Sequence, residues 1–228
     1  MPKSLKNFFD TEYSKLKDMS TKEKVEYIWG YYKIHIVVFI FVCVLIGSLV
    51  NTIWLNPQKA IYLQITFHSG FVDPDTIDSF YLHLEEALMT PEKREIMQIA
   101  GVALMLGAGD PQIEMANSQR FVVMLAAREI DLLVISREEL MTLAPEGFFL
   151  PLNEILLDNM LTQMSNKLIF AQDEYGVESA YGIALDNNRL LENYGLFTQG
   201  QSLAVMINTQ RSDAVRKGIE YIIGYSQE

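Results

Sequence analysis

The sequence predicts an α/β protein in which one N-terminal transmembrane helix is followed by a mostly parallel sheet covered by helices. Three observations carry this reading. Residues 34–55, IHIVVFIFVCVLIGSLVNTIWL, contain no Asp, Glu, Lys or Arg. Beyond them, strand-like and helix-like patterns alternate, as they do when parallel strands are joined by helical crossovers. The run DLLVIS (131–136) is continuously apolar over the length of one strand, the pattern of a strand covered on both faces.

The first observation sets the organisation. A helix of 22 residues rises roughly 33 Å, and the hydrocarbon core of a bilayer is roughly 30 Å thick. Residues 1–33 form a leader with seven Lys and five acidic residues, a net charge of about +2. Lysines crowd that side of the apolar run, and only Lys59 follows closely behind it. The positive-inside rule places 1–33 in the cytoplasm, 34–55 in the bilayer and 57–228 outside. Tyr27, Trp29, Tyr31, Tyr32 and Trp54 suit the two headgroup zones. The leader is long for a signal peptide, and no small-x-small site follows the apolar core, so the helix is expected to stay attached.

Inside the leader, Leu5, Phe8, Phe9, Tyr13 and Leu16 fall at helical spacing. That segment can lie along the cytoplasmic surface, pack on a partner subunit or remain disordered. Ser20 and Glu23 form an S-x-x-E box, which starts a second helix running into the membrane.

Composition removes several functions. Residues 57–228 hold 11 basic and 24 acidic residues, about -13 in net charge. Nucleic acid and anionic lipid both demand clustered Lys and Arg, so neither is expected as a ligand of that domain. The one cysteine, Cys43, lies within the apolar run and supports neither a disulfide framework nor a metal site.

The outer domain reads in order as follows. AIYLQITF (60–67) is a strand. Asp73 or Asp75 caps a helix near 75–88, with Ile77, Phe80, Tyr81, Leu84 and Leu88 on one face. Pro91 opens a short helical turn, and 95–106 contains the second strand. GAGDP is a turn, and 113–129 is a helix with Met115, Phe121, Val122, Leu125 and Ala126 inward. Strand 131–136 leads into a short helix, Arg137–Leu143. Asn153 caps a helix to about Ser165. Strands near 167–171 and 181–185 flank a polar turn, a short helix covers 187–193, and LAVMIN (203–208) is a strand. Asp213 caps the last helix, through Ile223.

DLLVISREELMTLAPEGFFLPLNEIL resembles the segment of extracellular solute-binding proteins of the type 2 periplasmic-binding fold in which an Asp-led strand, a short helix and a Gly-Phe-Phe, Pro-Leu turn precede a further helix. ANSQRFVVMLAAREI is similar to the helix leading into that strand, and LAVMINTQRSDAVRKGIEYIIG resembles the family's return strand and terminal helices. KEKVEYIWGYYKIHIVVF resembles the N-termini of small anchored proteins of Gram-positive bacteria. The resemblance implies one lobe of such a fold. Only about 50 residues (153–202) separate the matching segments, too few for a second full lobe, so the solute cleft is expected to be incomplete or absent.

Candidate chemistry is sparse. Ligands of open α/β sheets sit at the carboxyl ends of strands, which singles out His68 and Ser69 after the first strand, and Ser136 and Arg137 after DLLVIS. Ser136 is alternatively the cap of the next helix, and Arg137 suits an anionic group. Gly107 and Gly109 follow a strand, but G-x-G without a following Lys-Ser/Thr reads as a tight turn. His68 and His83 lack an accompanying metal motif, so no metal and no cofactor are expected. Glu85–Glu86 and Glu138–Glu139 are sequence neighbours that point in different directions on helices. No Ser/His/Asp set has motif support, so no catalytic residue is assigned. The expected function is a non-enzymatic binding or assembly subunit of an envelope complex, partnered by the bilayer through 34–55 and by a membrane protein. The alternative is a membrane-tethered solute-binding protein of a transporter.

Overall fold

The structure is a computed structural model, and it describes residues 13, 17, 19–55, 58–69, 73–105 and 111–224. Within that range the chain divides into two units, Met1–Gln58 and Lys59–Glu228. The apolar positions of the leader at Leu5, Phe8, Phe9 and Leu16 lie outside the described residues, as do Gly107 and Gly109.

In the first unit, Ser20 and Glu23 form the capping box that their spacing predicts. The Glu23 N–H donates to Ser20 Oγ at 3.4 Å, and the Ser20 N–H donates to the Glu23 carboxylate at 2.8 Å. From this cap, α1 (Thr21–Val50) runs without a break and ends in a π-type turn, Asn51–Leu55. Its segment Tyr32–Leu55 is 24 residues long with a mean hydropathy of 2.7. Val37, Phe39, Phe41, Val44, Ile46 and Leu49 are all exposed, and among the described residues no side chain of this segment is buried.

The second unit is built on a six-stranded sheet. Its strands are β1 (Ala60–Ser69), β2 (Met97–Met105), β3 (Leu132–Ser136), β4 (Leu168–Gln172), β5 (Glu178–Ala184) and β6 (Gln201–Val205), in the order β2-β1-β3-β6-β5-β4. β1 pairs with β2 and with β3 in parallel, whereas the β3–β6, β6–β5 and β5–β4 pairs are antiparallel. The sheet is therefore mixed. Four strands share one direction, yet three of the five neighbouring pairs are antiparallel. Element alternation alone implies more parallel pairing than this. The difference arises because β4 and β5 form a hairpin and β6 returns between β3 and β5. The hairpin turn is held by Asp173, whose carboxylate accepts from the Tyr175 and Val177 N–H groups, with Gly176 at φ 80°.

Helices cover both faces. On one face, α2 (Pro74–Leu88) and α8 (Ser212–Ile223) pack against Leu63, Ile65, Phe67, Leu132, Val134 and Val205. The α2 stripe is the one its sequence predicts: Ile77, Phe80, Tyr81 and Leu84 are buried, and Asp73 caps the helix by accepting from Thr76 N at 3.1 Å. Gly218 lets α8 approach closely, because a Cβ there would stand 2.7 Å from a Leu63 methyl. On the other face, α4 (Pro111–Ala126) and α5 (Arg137–Leu143) cover Leu133, Ile135 and Ala204. Here Met124 is the one fully buried residue of α4. Phe121 and Leu125 are partly covered, and Met115, Val122 and Ala126, expected inward, are exposed.

Shorter elements fill the joints. α3 (Pro91–Ile96) feeds β2, and α7 (Arg189–Asn193) is capped by Asn188, which accepts from Leu191 N and donates to Ile222 O. The helix expected from Asn153 is instead a 3-10 turn (Leu152–Glu154) followed by α6 (Asp158–Gln163). Leu157 takes an extended conformation (ψ 152°) and interrupts it. Asp213 does not cap α8. It lies in the first turn and accepts from Arg216 at 2.7 Å, while Arg211 holds the cap position. Residues 153–202 complete the sheet through β4, β5 and the start of β6 rather than forming a second lobe.

Candidate functional site

The carboxyl ends of β1 and β3 are adjacent because these strands pair in parallel, His68 opposite Ile135. This register brings His68 to the start of α5. Ser136 caps α5: its Oγ accepts from Glu139 N at 3.2 Å and donates to Glu139 Oε2 at 2.7 Å. The other oxygen, Glu139 Oε1, lies 3.6 Å from His68 Nδ1, an ion-pair separation rather than a hydrogen bond. The His68 side chain is 10% exposed and its ring stacks on Phe121 at 4.9 Å. Burial lowers the His68 pKa, and Glu139 partly offsets that. Ser69 closes β1, but its side chain lies outside the described residues.

The order of these groups decides their chemistry. Nucleophilic serine needs a base on its hydroxyl. Ser136 instead gives its hydrogen to a carboxylate that also faces the histidine. The capping role is the one the geometry supports. Two residues back along β1, Thr66 is fully buried, and its Oγ1, like His68 Nδ1, has no hydrogen-bond partner among the described residues.

Arg137 points elsewhere. Its Nη2 donates to Asp186 Oδ2 at 2.8 Å, while Asp186 Oδ1 accepts from Gly200 N at 2.8 Å. The Arg137 N–H donates to Gly200 O at 2.9 Å. These bonds lock the β3–α5 junction to the loops after β5 and before β6. Beside them opens a depression of about 680 Å³ lined by Ser136, Arg137, Glu138, Met141, Gln199, Gly200 and Gln201. The guanidinium is already balanced by Asp186, so it does not offer an uncompensated charge to an anion.

His68 and His83 lie on opposite faces of the sheet. His83 packs between Tyr194 and Tyr221, with Tyr221 Oη and His83 Nε2 2.9 Å apart, on the α2–α8 side. The glutamate pairs separate as their spacing predicts. Glu85 accepts from Ile99 N at 2.7 Å while Glu86 faces Arg94 at 3.6 Å.

The strongest polar network was not legible from local sequence. Asp131 is fully buried at the start of β3. Its Oδ2 accepts from Gln64 N at 2.8 Å and from Arg211 Nη1 at 2.6 Å, and its Oδ1 accepts from Thr209 Oγ1 at 2.6 Å. One carboxylate thereby ties β1 and β3 to the connection between β6 and α8. With both oxygens engaged by the chain's own donors and the side chain fully buried, its role is structural. The available signal was an acid heading a wholly apolar strand, a place where a charge survives only if paired.

No protein-family model and no curated protein matches the chain. Among solved structures, an extracellular solute-binding protein family 1 member from Alicyclobacillus acidocaldarius subsp. acidocaldarius DSM 446 is similar, with 13% identity and a TM-score of 0.33 over 57% of this chain and 29% of that one. A structure described as CpMnBP1 with mannotriose bound is similar at 18% identity and a TM-score of 0.32, over 60% of this chain and 34% of that one. The chain spans about a third of the length of these solved structures.

Proposed function

We propose that this chain is a single-pass membrane protein, with 1–33 cytoplasmic, 34–55 in the bilayer and 57–228 extracytoplasmic, and that its α/β domain is a non-enzymatic binding or assembly subunit of an envelope complex. The observation that carries this reading is the apolar segment Tyr32–Leu55, in which no residue is buried among the described residues. Surface of that extent is stable only in lipid or against another protein. The exposed face of α4 supports the second half. Met115, Val122 and Val123 stand 56%, 62% and 65% exposed along one charge-free stripe that also holds Ala116, Gln119 and Ala126.

The depression beside Arg137 favours a second reading, a tethered solute receptor. Such a receptor closes two lobes on its solute, and residues 153–202 are spent on strands of the single sheet, so the subunit reading is preferred.

Protease added to intact protoplasts tests the topology: residues 57–228 should be digested, and protection of that domain overturns it. Crosslinking in native membranes tests the partner: an adduct with an integral membrane protein is expected, and recovery of monomer alone counts against the subunit role.

A further inference from the structure

β2 is one of the two edge strands of the sheet, β4 being the other. Native proteins blunt such edges with Lys, Pro, short strands or covering elements. β2 is instead nine residues of MQIAGVALM, without a charge or a proline. Its outward groups follow from the register. Ile99 N leaves the sheet to reach Glu85, and backbone direction alternates along a strand, so Gly101 and Ala103 also direct their N–H and C=O groups away from β1. Among the described residues nothing pairs with them. Gly101 cannot carry a side chain, because a Cβ there would collide with Ile65 O and the Tyr81 hydroxyl. The edge is therefore bare at its centre.

A groove of about 340 Å³ runs along this edge, between it and α2, lined by Asp78, Tyr81, Leu82, Glu85, Gln98, Ile99, Ala100 and Gly101. Both charges in the lining are acidic. Glu85 is engaged by Ile99 N, whereas Asp78 is exposed, and Leu82 beside it is 55% exposed. A second copy pairing edge to edge would bring two such acidic rims together in a domain already near -13.

Resting on the reading of this domain as a binding subunit, we propose that the β2 edge takes an extended segment of a partner protein as a seventh strand. The segment's backbone pairs with Gly101 and Ala103, and alternate side chains turn towards α2, one apolar on Leu82 and one basic at Asp78. Backbone pairing supplies the affinity and the α2 rim supplies the selection.

Full-length protein in detergent micelles tests this with fluorescein-labelled, end-blocked hexapeptides of alternating Val and Thr. One carries a central Lys, one a central Glu, and one is the Lys peptide with N-methylated backbone amides. The Lys peptide should bind saturably, and the other two roughly tenfold or more weakly. Ala103→Pro, which deletes an outward N–H, should weaken binding of the Lys peptide. Asp78→Lys, at an exposed helix position that folding tolerates, should reverse the Lys-over-Glu preference. Equal binding of the methylated peptide, no binding of any peptide, or an unchanged preference in Asp78→Lys overturns the proposal. So does a concentration-dependent doubling of mass that Ala103→Pro abolishes, which would assign the edge to a second copy. Membrane topology is decided by protease access alone, so failure here leaves the anchored-subunit reading standing.

Discussion

The two long helices flanking β2 use their apolar residues in opposite ways. α2 turns Ile77, Phe80, Tyr81 and Leu84 into the core and keeps Leu82 as the one large apolar side chain on an otherwise polar outer face. α4 is equally rich in apolar residues but buries only Met124 fully, and it carries Met115, Val122 and Val123 on the surface. A helix with one apolar stripe has one way to dock. A helix apolar on two sides can dock on its own sheet and still offer a face to something else. α2 serves chiefly the stability of the domain and offers only Leu82 and Asp78 to the groove beside β2, whereas α4 divides its apolar residues between stability and contact.

Substitutions at matched positions can break this contrast. Phe80→Ala should cost most, about 3–5 kcal/mol, because Phe80 is fully buried against Phe67 and Tyr194. Chemical denaturation of the full-length protein in micelles would read it, and a loss under 1 kcal/mol would remove α2 from the core. Met124→Ala should cost about 2–3 kcal/mol, the low end for a buried methionine, since α4 has no other fully buried anchor to hold a cavity open.

Acidification should act on the α4 side. Burial under Phe121 lowers the folded-state pKa of His68, so the unfolded chain binds the proton first as pH falls. The contribution of His68 is present above its unfolded pKa of about 6.5 and is lost below it. Melting temperature should fall between pH 7.5 and 5.5, and His68→Gln should flatten that fall; a parallel profile for the variant would remove His68 from the account. Smallest of all, Val123→Ser should move stability by less than about 0.5 kcal/mol. A loss comparable to that of Met124→Ala would mean that the exposed stripe of α4 is a covered one.

The same contrast marks what the sequence could reveal. Signals confined to one element were readable: the Ser20–Glu23 box, the Asp73 and Ser136 caps, the α2 stripe and the apolar run of β3. Signals that depend on a distant partner were not. The facing of α4 is ambiguous because apolar residues lie nearly all round it. Strand direction in the second half depends on where β6 inserts, which no local pattern records. Asp131 and Arg211 are 80 residues apart, and Glu85 finds Ile99 N only once α2 lies along β2. At the candidate site, the sequence brought His68 and Ser136 to the same strand ends but could not show Glu139 standing between them. Arg137, a candidate for an anionic group, donates to Asp186, a partner 49 residues away that no local pattern indicates.

The strand order also has a consequence for how the domain comes into being. β6 is synthesised after the other five strands of the sheet, yet it stands between β3 and β5. Until residues 201–205 emerge from the ribosome, β3 keeps one side unpaired and the β4–β5 hairpin has no neighbour to join. A chain stopped before residue 201 would therefore hold two separate fragments of sheet rather than a shortened domain. Assembly of the sheet has to wait for residues 201–205, so the strand sides of β3 and β5 stay open until then.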